Sequence, residues 1–468
     1  TFPVVAKLRL IHINAYRCFG FPKMIFKLKI DYADGTNDII VSDSSWKTAP
    51  SPITYSSIFG GEDYDARLEQ EGWNLEGFNE THWKNPLIVT APTGLLEAEF
   101  IYPVIIKDSF NAKRILQPAK DVYIYDFGQN ASGIVELKVK GKKGQSVKLT
   151  PAELLDSNMR PNQKASGDPY YFIYTLRSDS LETWRPAFTY YGFRYVQVEG
   201  AVPDTAAGQH GEMARIVSLK ELHNSSSAPV SGSFQSSNQL FNRIDTLIRW
   251  AIQSNVQSVV TDCPHREKLS WLEQDYLMGK SIHYNLDIYQ LYKNLVYNMI
   301  DAQTPDGLVP DIAPEFVPFE HGFRDSPEWG SASVILPWQI YKWYGDTNII
   351  SKAYPMMKKY IAYLESKSNK HILSHGLGDW FDYGPRSPGE AQLTPKELTA
   401  TAIYFYDVFL LSKMAALTGN KEEVKRLNHK ADEIKLAFNK KFFNPLTKVY
   451  STGSQTAMAM PISVGLVQ

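Results

Sequence analysis

The sequence is poor in cysteine and shows no excess of charge of either sign. Its two cysteines, Cys18 and Cys263, stand far apart among 468 residues, which predicts no metal site and leaves room for a single disulfide at most. Basic residues number 49 and acidic residues 50, for a net charge of -1. Because no broad positive field exists, nucleic acid is not expected as a partner. No apolar run approaches the ~20 residues of a membrane-spanning helix, so we expect no membrane span.

Length and aromatic content are the positive features of the composition. A chain of 468 residues is too long for one ordinary domain, so several domains are expected. Aromatic residues make up 13% of the chain, with 27 Tyr, 23 Phe and 10 Trp. Rings build hydrophobic cores and also carbohydrate-stacking surfaces. The core is the default interpretation, and sugar binding needs evidence from placement.

The first half of the chain has the pattern of short β-strands. Residues 7–13 and 26–32 alternate between apolar and polar side chains, and an Asp34-Gly35 turn leads into a further strand at 38–41. Alternation on both sides of an Asp-Gly turn predicts a β-hairpin. Residues 116–222 again favour many short strands, as in a sandwich. The serine-rich stretch 224–227 resembles a linker.

From Asn238 the pattern becomes helical. Apolar residues recur on one face of the first segment, and further helices are predicted at 281–302, 333–345, 350–366, 397–418 and 421–442. The intervening loops, such as 326–330 and 378–384, are rich in proline, glycine, tryptophan and acids. Helices alternating with such loops are typical of an α/α toroid with a glycan cleft at one end.

The segment 261–274 contains the densest group of chemically capable side chains. Pro264 disfavours helix at Cys263, so Asp262 is expected in a loop. Apolar spacing after Glu267 predicts a helix that begins there, with Trp271 one turn further on the same face. A carboxylic acid beside an indole suits a general acid or a sugar-stacking site. The plainer interpretation is a helix cap and a core tryptophan.

This segment resembles the signature of the family-78 glycoside hydrolases, the bacterial and fungal α-L-rhamnosidases. Further stretches are similar to other parts of the same family. The N-terminal β domain is matched by 61–67, the second β-sandwich by 126–130, 152–156 and 186–195, and the barrel loops by 329–332 and 378–380. The resemblance covers most of the chain, and its motifs are specific in combination.

The resemblance implies an inverting glycosidase that needs no cofactor and no metal. Glu267 would be the general acid, and Asp262 would hold rhamnose hydroxyls. Tryptophans would wall the sugar site, and further polar residues would contact the sugar. The expected substrate-binding residues are Asp262, Arg266, Trp271, Gln274, Asp275, Trp329, Asp379 and Trp380. Gln274 departs from the family, where many members carry an acid, and Glu273 or Asp275 could compensate.

Inversion also requires a second carboxylate as base, about 6.5–9.5 Å from the acid. In the family this glutamate lies in a late barrel loop. From Asn238 to Gln468 there is room for about eight or nine helices, so we expect a partial barrel without that loop. The acids that flank the tryptophans, Asp325, Glu328, Asp379 and Asp382, are conceivable local bases. The favoured interpretation is that they contact substrate or structure their loops.

These observations combine into one prediction of architecture and function. Two N-terminal β-sandwich-like domains (1–115 and 116–228) precede an (α/α)6 toroid catalytic domain (229–468), incomplete at its C-terminus. The expected activity is hydrolysis of terminal α-L-rhamnosides on oligosaccharides, polysaccharides or small glycosides, in the periplasm or outside the cell. One alternative is a non-catalytic glycan-binding protein, which would lack the acid. Another is a polysaccharide lyase, whose cleft would need cations for its uronic acid substrate.

Overall fold

The structure is a computed structural model that describes residues 23–91, 94–166, 169–206 and 212–467. The chain forms two compact units. The first comprises the described residues up to Glu99, with Ile106–Asn224 and Pro264–Arg266; the second comprises Phe100–Ile105, Ser225–Cys263 and the residues from Glu267 onward. The strand expected at 7–13 lies outside the described residues. The three domain ranges stay a prediction.

Extended segments dominate the first unit. Its strands are β1 (Lys27–Asp31), β2 (Asn37–Val41), β3 (Ile53–Ser57), β4 (Gly61–Asp65), β5 (Val104–Asn111), β6 (Arg114–Ala119), β7 (Val122–Lys140), β8 (Ser146–Ala152), β9 (Leu154–Leu155), β10 (Pro161–Asn162), β11 (Tyr171–Thr175), β12 (Leu181–Trp184), β13 (Tyr191–Glu199), β14 (Ala201–Pro203) and β15 (Ala214–Ser226). Two short strands, β16 (Phe443–Asn444) and β17 (Val449–Tyr450), belong to the second unit. Strands β1 and β2 pair antiparallel, which confirms the predicted hairpin. The turn depends on Gly35, whose φ of 86° favours a residue without Cβ.

The main sheet has the strand order β14-β15-β7-β13-β8-β11-β4-β3, with β5, β6 and β12 paired at its sides. Its core is aromatic: the rings of Tyr170 and Tyr191 stack with centroids 4.4 Å apart. The prediction of a linker at 224–227 was wrong, because strand β15 continues to Ser226. The boundary between the two units nevertheless falls at Asn224.

Helices make up most of the second unit. They are α1 (Gln239–Asn255), α2 (Leu272–Leu277), α3 (Gly279–Asn285), α4 (Tyr289–Ala302), α5 (Pro327–Gly330), α6 (Ala332–Tyr344), α7 (Thr347–Lys367), α8 (Lys396–Leu417), α9 (Lys421–Phe442) and α10 (Gln455–Val464). Single-turn 3-10 helices lie at Ala66–Leu68, Lys164–Ser166 and His321–Phe323. The helical segments predicted at 333–345, 350–366, 397–418 and 421–442 are confirmed to within a few residues, whereas the single helix predicted at 281–302 is divided into α3 and α4.

Local signals explain where several of these helices begin. Side chains of Asn238, Asp346, Asn420 and Ser454 accept backbone N–H groups at the starts of α1, α7, α9 and α10, which satisfies otherwise unpaired donors. Helices α6 and α8 are apolar nearly all round and buried, whereas α7 and α9 each bury one face. An alternation of inner and outer helices is what two concentric helical layers require.

Helix α8 is long and strongly apolar. Within the described ranges it is the one helix long and apolar enough to cross a membrane, and 72% of its apolar window is buried inside the fold. The expectation that no stretch is long and apolar enough to cross a membrane was therefore wrong, as far as length and composition are concerned. Burial on this scale is the ordinary condition of a core helix.

Helix α1 carries large apolar side chains that its own unit leaves exposed. Leu240, Phe241 and Leu247 are each more than half exposed, and Ile244 and Ile248 are about two-fifths exposed. Leu240, Ile244, Leu247 and Ile248 belong to the apolar face that the helical periodicity predicted, whereas Ile252 of the same face is buried. A contiguous apolar face of this kind is a site for association with another apolar surface.

Candidate active site

The segment that carries Asp262 and Glu267 folds differently from the sequence prediction. Residues 264–267 form a turn, Lys268 adopts a left-handed conformation with φ of 54°, and the helix begins only at Leu272. Residues 270–272 instead run beside 311–313: Leu272 N donates to Asp311 O at 2.9 Å. The helix start predicted at Glu267 was wrong, because this long-range backbone pairing holds the segment extended.

Glu267 and Trp271 still meet in this extended arrangement. The indole Nε1 of Trp271 donates to Glu267 Oε2 at 2.7 Å, and both side chains are half-buried. A hydrogen bond at this distance fixes the orientation of the Glu267 carboxyl group. The predicted pairing of acid and indole is thus present, by a different local geometry.

Asp262 lies on the same segment and is held from two directions. The amide of Leu269 donates to Oδ1 at 3.0 Å, and the thiol of Cys263 donates to Oδ2 at 2.9 Å. Burial, with a contribution from the charge of Glu267, raises the pKa of Asp262 to about 6 despite these hydrogen bonds. Asp262 and Glu267 therefore influence each other electrostatically within one short loop.

A row of aromatic rings connects this loop to a second one. Trp271 packs against Phe319 at 5.1 Å, Phe319 lies 6.5 Å from Phe323, and Phe323 meets Trp380 edge-on at 5.3 Å between ring centroids. The two tryptophans were predicted from the sequence, and the two phenylalanines were not. The signal available for them was the aromatic-rich loop 316–323, which has no helical or strand periodicity.

Three further acids interact electrostatically, and two of them, Glu273 and Asp379, lie within two residues of Trp271 and Trp380 in sequence. The pKa of Glu273 is raised to about 8, first by burial and then by the charges of Glu328 and Asp379. Glu328 is 4% exposed, and burial raises its pKa as well. Asp379 is half-buried, and Thr394 Oγ1 lies 3.4 Å from its Oδ2. Carboxyl groups and aromatic rings on neighbouring loop positions suit the recognition of a polyhydroxylated ligand.

The remaining predicted residues have distinct environments. Gln274 donates from Nε2 to Val260 O at 2.9 Å, so its amide fixes the backbone just before Asp262. Asp275 is fully buried, and neither carboxyl oxygen has a hydrogen-bond partner among the residues described; burial raises its pKa well above the usual value. Trp329 is 4% exposed in the helical core. Arg266 is exposed and groups with the first unit.

Two of the acids considered as bases are engaged in holding their loops. Asp325 accepts the hydroxyl of Tyr363 at 2.5 Å and lies 3.2 Å from His375 Nε2. Asp382 accepts the backbone amides of Gln392 and Leu393 at 3.0 and 2.7 Å. Both environments support a loop-structuring role. Over the described part of the chain, no group of His, Cys, Asp and Glu residues is arranged to hold a metal ion.

Comparisons with known proteins identify the relatives of each region. The family model described as the bacterial alpha-L-rhamnosidase 6 hairpin glycosidase domain matches residues 229–468, just over half of the chain. The alpha-L-rhamnosidase N-terminal domain matches 8–108, and the bacterial alpha-L-rhamnosidase concanavalin-like domain matches 116–217. The order of these matches agrees with the predicted fold class of β domains followed by an (α/α)6 helical domain.

Whole proteins give the same result. An alpha-L-rhamnosidase of Formosa agariphila is 30% identical, over 96% of this chain and 48% of its own length. The structure of alpha-L-rhamnosidase from Dictyoglumus thermophilum is 32% identical with a TM-score of 0.88, over 96% of this chain and 50% of that one. The Streptomyces avermitilis alpha-L-rhamnosidase complexed with L-rhamnose is 28% identical with a TM-score of 0.83, over 95% and 41%. The chain spans about half the length, or less, of these relatives.

Proposed function

Because the chain belongs to the bacterial α-L-rhamnosidase family, we propose that it hydrolyses terminal α-L-rhamnosides with inversion at the anomeric carbon. Glu267 is the general acid that protonates the glycosidic oxygen. Asp262 binds ring hydroxyls, and the row from Trp271 to Trp380 receives the apolar side of the sugar, including its C5 methyl group. Substrates are rhamnose-containing oligosaccharides, polysaccharides or small rhamnosides.

The observation that carries this proposal is the hydrogen bond between the Trp271 indole and Glu267 Oε2 at 2.7 Å. It orients the carboxyl group of Glu267 for proton transfer to a glycosidic oxygen. General acid catalysis by a side chain oriented in this way contributes about 10²–10⁴-fold to the rate. Glu273, Glu328 and Asp379 supply no positive charge to neutralise a substrate carboxylate, which a lyase would need.

The loop acids refine the assignment of roles. Asp325 accepts a hydrogen bond from Tyr363 of helix α7, and Asp382 accepts one from a backbone amide of its own loop, so we assign both to loop structure and not to the catalytic base. Glu273 and Glu328 are protonated more readily than ordinary carboxyls, so either can donate a hydrogen bond to a sugar hydroxyl. Action in the periplasm or outside the cell stays a prediction, which cell fractionation would test.

The test compares binding and hydrolysis in wild type and Glu267→Gln, with Glu433→Gln on helix α9 as a matched control. L-Rhamnose affinity is measured by calorimetry, and hydrolysis is measured on methyl and p-nitrophenyl α-L-rhamnosides. Loss of the general acid should slow methyl rhamnoside hydrolysis by about 10²–10⁴-fold. The p-nitrophenyl substrate should be much less affected, because its leaving group needs little protonation. Rhamnose affinity should stay near that of the wild type.

Two results would contradict the proposal. Equal losses on the two substrates would remove the general-acid role from Glu267. Rhamnose binding by the wild-type chain without hydrolysis of either substrate would support the glycan-binding alternative for this chain.

A further inference from the structure

The side chain of Cys263 lies between the two acids of the proposed site. Its thiol donates to Asp262 Oδ2 at 2.9 Å. The backbone amide of Glu267 approaches the same sulfur at 3.4 Å. A thiol is a weak hydrogen-bond donor and a weak acceptor. Here it donates to Asp262 and accepts from the backbone of Glu267. Cys263 itself is half-buried.

We propose that Cys263 is a positioning residue, which holds the Asp262 carboxylate and the Glu267 backbone in the relative geometry that binds the rhamnosyl ring. The inference rests on the proposed function and adds to it a residue that makes no contact with the sugar. The sulfur acts through its two neighbours.

The shape of the loop explains why one side chain can do this. The turn at residues 264–267 returns the chain so that the Glu267 amide faces the sulfur four residues earlier. The second oxygen of Asp262 is held separately by the Leu269 amide at 3.0 Å. With the thiol in place, both carboxylate oxygens are fixed; without it, Oδ2 loses a donor and the group can rotate. Displacements of about 1 Å at such groups cost about a hundredfold in rate.

The groups around Asp262 predict a change in the pH dependence of binding that a loss of packing alone would not produce. Burial and the charge of Glu267 raise the pKa of Asp262, whereas the Cys263 thiol and the Leu269 amide lower it. Removing the thiol donor therefore raises the pKa of Asp262 further. Binding that needs the carboxylate is then lost at a higher pH than in the wild type.

The experiment measures L-rhamnose affinity by calorimetry between pH 4.5 and 8 for wild type, Cys263→Ala and Cys263→Ser. The alanine variant should bind about tenfold more weakly near pH 6.5, the effect of losing one hydrogen bond to a charged group. Its pH midpoint should rise by about half to one unit. Serine supplies a donor and an acceptor again, so it should recover most of the affinity and the wild-type midpoint.

Thr261→Ala is the matched control. Thr261 precedes Asp262, and its hydroxyl donates to Asn255 O at 3.2 Å and Oδ1 at 3.1 Å. This variant should lower the thermal stability without moving the pH midpoint of binding.

The outcomes separate the two proposals. Failure of the wild-type chain to bind L-rhamnose would overturn the proposed function. Wild-type binding with unchanged affinity and midpoint in Cys263→Ala would overturn only the positioning role. A serine variant as weak as the alanine variant would also overturn it, since packing of the sulfur would then explain the loss.

Discussion

Glu273 is predicted to reduce the stability of the protein at neutral pH. Its pKa rises from an ordinary 4.5 to about 8 in the folded state, chiefly through burial and then through Glu328 and Asp379. The folded state therefore retains a proton that the unfolded state releases between these two values. The contribution of Glu273 to the free energy of unfolding is at its maximum below pH 4.5. It falls as the pH rises toward 8, by about 1.4 kcal/mol per pH unit. The loss is about 3 kcal/mol at pH 7 and about 5 kcal/mol above pH 8.

Glu273→Gln tests this calculation, because the amide has nearly the shape of the neutral acid and does not titrate. Urea unfolding at pH 4.5, 7 and 9 should show similar stabilities at the lowest pH. The variant should then be more stable by about 3 kcal/mol at pH 7, with a larger gain at pH 9. Glu433→Gln on helix α9, whose side chain is 37% exposed, should follow the wild type within about 0.5 kcal/mol. A parallel pH dependence in wild type and Glu273→Gln would refute the reasoning.

Three further predictions concern separate parts of the molecule. Trp271→Phe keeps an aromatic ring but removes the 2.7 Å hydrogen bond to Glu267. Hydrolysis of methyl rhamnoside should therefore fall about tenfold or more, while the affinity for L-rhamnose changes little. An equal loss of rhamnose affinity would contradict this prediction. Asp126 is 1% exposed and pairs with Arg114 and Arg194. Asp126→Asn should therefore lower the free energy of unfolding at pH 7 by about 1.5–3 kcal/mol, measured by urea titration. An unchanged urea midpoint would contradict this prediction. Leu247→Lys on the exposed face of α1 should reduce self-association in sedimentation velocity, whereas Leu446→Lys, at a residue 93% exposed, should not; equal effects would remove the role of that face.

The pH dependence of Asp126 has the opposite sign to that of Glu273. Burial alone would raise its pKa, but hydrogen bonds from Arg194 and Arg114 lower the pKa to about 2. The stabilisation is therefore present above the ordinary carboxyl range and is lost as the pH falls through 2. Acid unfolding curves of wild type and Asp126→Asn should converge toward low pH.

Local patterns in the sequence were sufficient for much of the architecture. Alternation around Asp34-Gly35 predicted the hairpin of β1 and β2, because the side-chain period of two and the turn chemistry act within a few residues. Apolar spacing predicted the long helices for the same reason. The acid motif with Glu267 and Trp271, together with its family resemblance, was enough to identify the candidate site.

Long-range contacts decided the details that determine chemistry. Helix α2 begins at Leu272 because residues 270–272 pair with a segment 40 residues away in sequence, and no local pattern reports that pairing. The same holds for Phe319 and Phe323, which complete the aromatic row, and for Glu273, whose pKa is set by burial beside Glu328. Periodicity and capping are properties of neighbours in the chain, whereas burial and charge coupling are properties of neighbours in space, so only the tertiary structure could assign them.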